Sequence, residues 1–251
     1  MINVLFFKRV FSNKIYWLSV MTAILLLFCS AVHTDDFSGK TYTFLSLFYD
    51  DTAKGFLQNG MISMHSRFMG YDASYLWMFC PIIVGVPCVF SKKIERFVLF
   101  RISKNKYYLS KYATNLLLGG MIMLLAYVVF FAVGFWMTKE SWDMLVARKL
   151  LSVFFWGALN VIPSVILSEF VENKYLILCI PFVINYFMCM FMGSLIPFEI
   201  WNYISPWNYQ ILFLYDAKQI LICSLIMLFL LVACGIGIKV SFERRCDCGQ
   251  K

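Results

Sequence analysis

The chain has 251 residues, of which 61% are hydrophobic and 14% charged, and its mean hydropathy is +0.75. A water-soluble globule of that composition would expose more apolar surface than such proteins carry, so the sequence reads as an integral membrane protein. The net charge of +8 does not mark a nucleic-acid binder, because no polar globular face is available to present a basic patch.

A helix needs roughly 20 apolar residues to cross the hydrocarbon core. Six runs meet that requirement, at about Ile15 to Val32, Ser74 to Phe90, Tyr112 to Met137, Leu150 to Leu167, Tyr175 to Leu195 and Lys218 to Ile238. The expected fold is therefore all-α, a single transmembrane domain over 1–251 with six spanning helices.

Ahead of the first run lies MINVLFFKRVFSNK, residues 1–14, in which Ile2, Leu5, Phe6 and Val10 share one helical face and Lys8 and Arg9 another. That pattern predicts a short helix lying in the membrane surface, with a frayed basic flank as the alternative. The first run is long enough to span, and Phe28 stands where a lipoprotein signal needs a small residue. It is therefore read as a retained span rather than a cleaved signal.

Residues 33–73 form the longest polar stretch and contain five aspartates and both histidines. Without the glycine-bearing spacing of a calcium loop, these acids read as solvated surface of an external loop. The second run carries Pro81 and Pro87, the fourth Pro163 and the fifth Pro181. Each proline removes a backbone donor where lipid supplies no substitute, so these helices are expected to be kinked, either for packing or for gating.

Between the second and third runs comes SKKIERFVLFRISKNKYYLSK, residues 91–111, which concentrates seven basic residues. Lysine and arginine in short loops mark the cytoplasmic side. With both termini inside, 15 of the 22 basic residues fall on cytoplasmic segments and nine of the fourteen acids on external ones. The predicted location is the cell membrane, with the N-terminus, 91–111 and the tail 239–251 in the cytoplasm.

The run interiors carry Asn160, Asn185 and hydroxyls rather than Asp, Glu, Arg or His, which disfavours an ion-coupled carrier or proton relay. Glu169, Glu172 and Glu199 lie near the interfaces and are not expected to converge on an enzymatic site. No GxxxxGK[ST] sequence occurs, so the chain does not bind ATP in that manner. Seven of the nine cysteines fall in or beside apolar runs and read as small hydrophobes. Cys246 and Cys248 form a lone CxC with no nearby histidine, so no metal site is expected.

Residues 195–218, LIPFEIWNYISPWNYQILFLYDAK, are aromatic and mostly apolar, yet Pro197, Pro206, Glu199, Asn202 and Asn208 interrupt them. They suit a re-entrant or surface-lying external hairpin, with Trp201 and Trp207 at headgroup depth.

An interfacial helix, six spans, a basic helical loop after the second span and a broken hairpin containing Ser205-Pro206 before the last together resemble an ABC-2 type permease. Nearly the whole chain takes part in this resemblance. In that family the loop after the second span carries an acidic residue, a helical stretch, a Ser/Arg turn and a lysine at the next span. Glu95, Arg101-Ile102-Ser103 and Lys111 occupy those places here, while the glycine usual after the acid and the proline usual before the serine are absent.

The resemblance implies a coupling helix between the second and third spans, docked on a separate cytosolic ABC ATPase that holds ATP and Mg. The chain itself would bind no cofactor and have no catalytic residue. Its further partners would be a second permease copy or a paralogous permease, and membrane lipid. Ile94, Phe97 and Val98, spaced i, i+3 and i+4, would fill a groove on the ATPase, with Glu95 and Arg101 beside them. Glu199, Trp201, Ser205, Pro206 and Trp207 would form an external gate. The expected function is export of a hydrophobic or amphipathic cargo, such as an antimicrobial peptide in self-immunity, a drug or a lipid-like molecule. Two alternatives stand beside it: a basic anchor to anionic lipid for 91–111, and a non-translocating, substrate-binding or scaffold component for the whole chain.

Overall fold

The computed structural model describes residues 11–32, 74–98, 104–138 and 144–187, with residues 221, 222, 225, 226, 228, 229, 232–237, 239 and 240 of a last helical stretch. Five helices account for most of it: α1 (Lys14–Val32), α2 (Ser74–Val98), α3 (Lys104–Thr138), α4 (Met144–Phe170) and α5 (Lys174–Phe187). No strand occurs among the described residues. The stretches Tyr107–Trp136 and Val146–Phe170 are long and apolar enough to cross a membrane, while the apolar parts of α1, α2 and α5 described here are shorter.

Local sequence sets the helix ends. Asn13 caps α1: its Oδ1 accepts from the amide of Ile15 at 3.0 Å and its carbonyl from Tyr16 at 3.1 Å. Trp17 Nε1 reaches back to the Phe11 carbonyl at 2.6 Å, fixing how the chain enters the helix. Asn173 repeats the device for α5, accepting from the amide of Tyr175 at 2.9 Å. Only Val171, Glu172 and Asn173 separate α4 from α5, so these two helices form a tight antiparallel hairpin.

The described parts of the basic segment are helical and continuous with the apolar helices on either side: α2 runs unbroken to Val98 and α3 begins at Lys104. Lysine and arginine are good helix formers, and an apolar run marks where lipid would lie rather than where helical hydrogen bonding stops. The lengths follow: α3 has 35 residues and spans about 52 Å.

Packing centres on the α3–α4 pair, which shares the largest interface, and on α2, which touches all four of the other helices. Trp156, Tyr16, Tyr127, Phe130 and Phe131 are among the largest fully buried side chains. Phe28 of α1 meets Phe130 of α3 edge-on at 5.1 Å, and Phe79 of α2 stacks on Phe182 of α5 at 5.5 Å. The outer faces are apolar too. Leu18, Met21 and Leu25 form an exposed stripe on α1, as do Val183 and Phe187 on α5. A helix that is apolar on its core and outer faces alike suits a lipid or protein surround rather than water.

Candidate functional site

Among the described residues the buried charges lie on α3 and α4, and three glycines explain why these helices come so close. A Cβ on Gly157 would stand 2.8 Å from the Gly119 carbonyl oxygen and 2.6 Å from Met123 Cγ. One on Gly119 would meet Val161 Cγ2 at 2.1 Å, and one on Gly120 the Phe154 ring at 2.7 Å. The two backbones therefore cross in direct contact, which only residues without a side chain permit.

At the end where α3 starts and α4 stops, Lys111 Nζ donates to Glu169 Oε1 at 2.6 Å. The two side chains are 4% and 2% exposed, so this is a buried ion pair. Asn115, one turn further along α3, donates from Nδ2 to the Lys111 carbonyl at 2.9 Å. Ser168 of α4 is fully buried and donates to the Val165 carbonyl at 2.7 Å. Tyr108 donates its hydroxyl to the Gly235 carbonyl, which brings the last helical stretch to the same end. Ser164 donates to the Ile177 carbonyl of α5 at 3.3 Å and lies against Gly85 of α2. Cys88 of α2 is fully buried within electrostatic range of both Lys111 and Glu169.

At the opposite end of the pair, Lys149 is 1% exposed and its ammonium stands 5.6 Å from the centroid of the Tyr127 ring. That places it near the outer limit of cation–π attraction, about 6 Å from the ring centroid. The α3–α4 pair thus includes a short ion pair towards one end, glycine contact in the middle and a lysine–tyrosine contact towards the other.

This arrangement corrects the sequence reading at two positions. Lys111, expected as a loop charge, is buried within α3, and Lys149, expected on an external loop, is buried within α4; the pairing of Glu169 with Lys111 is not foreseen from the sequence. Asn115 was also overlooked as a polar residue of a run interior, and it is fully buried. The pair had a signal in the sequence: two consecutive antiparallel runs carry Lys111 and Glu169 at their same-side ends. The pairing lies between helices, however, and no single-helix pattern reports it.

Of the residues expected to dock on a partner, Ile94, Glu95, Phe97 and Val98 fall on the helical backbone of α2. Their side chains, and Arg101 altogether, lie outside the described residues. Glu199, Trp201, Ser205, Pro206 and Trp207 lie outside them as well, as do residues 1–10 and 33–73. Among the described residues no group of three His, Cys, Asp or Glu side chains is placed to hold a metal ion.

Comparison with protein-family models, with curated proteins and with solved structures found no match to this chain.

Proposed function

We propose that the chain is the transmembrane permease subunit of an ATP-driven exporter. It crosses the cell membrane six times with both termini in the cytoplasm and works with a separate cytosolic ABC ATPase that binds ATP and Mg. The observation that supports this best is the continuity of α2 and α3 past their apolar runs into the basic segment. Force applied near Ile94 and Phe97 passes along an unbroken helix into the apolar bundle, where a flexible loop would absorb it.

The cargo is hydrophobic or amphipathic. The described interior is lined by Phe, Met, Tyr and Ile, and its charges are engaged in helix-to-helix contacts, so little is left to attract a small ion. A second copy of the chain, or a paralogous permease, completes the pathway. The hairpin 195–218, with Glu199, Trp201, Ser205, Pro206 and Trp207, gates its external side.

Changing Phe97 to Asp tests the coupling role. In a docked groove the new carboxylate is desolvated without a partner, at a cost of several kcal/mol. Insertion is expected to be normal, since the substitution lies outside the apolar run, while transport-linked ATP hydrolysis falls at least about tenfold, the effect of roughly 1.4 kcal/mol. Full retention of coupled hydrolysis would reduce the segment to a lipid anchor.

A further inference from the structure

The α3–α4 pair has the parts of a scissor. Gly119 and Gly157 meet backbone to backbone, so the helices can change their crossing angle there without driving side chains into one another. Lys111 lies eight residues from Gly119 and Glu169 twelve from Gly157, which puts the ion pair about 12 to 18 Å from the crossing. On the other arm, Tyr127 lies eight residues from Gly119 and Lys149 eight from Gly157, about 12 Å from the crossing.

A tilt disturbs the contacts on both arms. A change of about 10° in crossing angle moves each end by roughly 2–3 Å at these lever lengths. That displacement breaks a 2.6 Å ammonium–carboxylate contact outright. The Lys149 ammonium on the other arm, 5.6 Å from the Tyr127 centroid, is already near the roughly 6 Å limit of cation–π attraction, so the same tilt weakens that contact too. The ion pair joins two opposite buried charges and is the stronger of these two contacts.

We infer that the Lys111–Glu169 ion pair is a latch that holds the α3 and α4 ends together across the glycine crossing, and that opening this end of the bundle requires the pair to break. Tyr108, on the same turn of α3 as Lys111, ties the last helical stretch to the closed end through the Gly235 carbonyl. The latch thus joins three helices. Lys111 also sits at the foot of the α3 extension that runs into the basic segment, so a load on that segment acts first on the latch. This inference rests on the permease reading for its purpose, naming where the pathway is held shut, but the ion pair and the crossing lie on α3 and α4 and stand whether or not the motor is an ABC ATPase.

Native Cys88 is the reporter, because it is fully buried beside both charges. In full-length protein in inside-out vesicles, with the other eight cysteines replaced by serine or alanine, labelling by N-ethylmaleimide reads how often this end opens. The closed pair protects Cys88. Glu169→Gln is expected to raise the labelling rate at least about tenfold, as loss of one partner of a buried pair does to local opening. The exchange Lys111→Glu with Glu169→Lys is expected to return the rate to within about twofold of the parent, since charge complementarity is kept. Should Glu169→Gln fail to accumulate, Glu169→Asp keeps the charge, shortens the arm by one methylene and gives a smaller increase in the same direction. Equal labelling in the parent and the single variants would overturn the latch. An exchange variant that labels as fast as Glu169→Gln would also overturn it, by showing that packing rather than the ion pair closes this end.

Discussion

Replacing Lys111 with Met, with Glu169 left in place, is expected to destabilise the protein by about 3–5 kcal/mol, the usual effect of removing one partner from a buried ion pair. The carboxylate is 2% exposed, so water does not screen it in place of the lysine. The pair itself is not a large source of stability. Desolvating both charges offsets most of their attraction, and an apolar pair of similar volume often serves as well or better. The double variant Lys111→Met with Glu169→Leu is therefore expected to recover most of the loss. Thermal melting in detergent, run as a double-mutant cycle, gives the coupling energy directly. A loss below about 1 kcal/mol for Lys111→Met, the range of solvent-exposed pairs, would show that the contact is not buried in the folded protein.

A second large effect is expected at the helix crossing. In Gly157→Val the new Cβ would lie 2.8 Å from the Gly119 carbonyl oxygen, and a backbone atom cannot step aside as a flexible side chain does. The helices must separate, which weakens their glycine-level contacts and pulls Lys111 away from Glu169. Overpacking of a tight site costs about 1–3 kcal/mol and occasionally more. Added strain on the ion pair places this variant at the upper end, and a melting temperature several degrees below the parent is the expected readout. Gly237→Ala is the control, because among the described residues nothing lies within 4 Å of the Cβ it would add. Equal behaviour of Gly157→Val and Gly237→Ala would contradict the close crossing.

These effects show which parts of the molecule were legible in the sequence. Apolar runs at Ile15 to Val32 and Ser74 to Phe90 announce α1 and α2 because each is long and uninterrupted by charge. Asn13 and Asn173 stand at the helix starts they cap, a local signal that needs no tertiary knowledge. The helices nonetheless run past their apolar cores: α2 continues eight residues beyond Phe90, and α4 starts six residues before Leu150. Hydropathy reports the surroundings of a helix, while backbone hydrogen bonding ends only at a cap, a proline or a partner.

The candidate site was less legible for the same reason. Lys111 and Glu169 each look like an ordinary charge at the edge of an apolar run, and Lys149 like a loop cation. Their burial depends on the register between two helices, which Gly119 and Gly157 set by letting the backbones touch. Glycine in an apolar helix reads equally well as a flexible spot or as a contact. Only the neighbouring helix distinguishes them.

The proposed assignment as an exporter subunit makes its most direct claim about company. Affinity purification of the full-length tagged chain from native membranes in mild detergent, followed by identification of what comes with it and assay of ATP hydrolysis, tests that claim. The account predicts a cytosolic ABC ATPase in near-stoichiometric amount, with hydrolysis that follows the tagged chain through size exclusion. A monodisperse chain that purifies without an ATPase, from membranes in which that class of subunit is expressed, would contradict it.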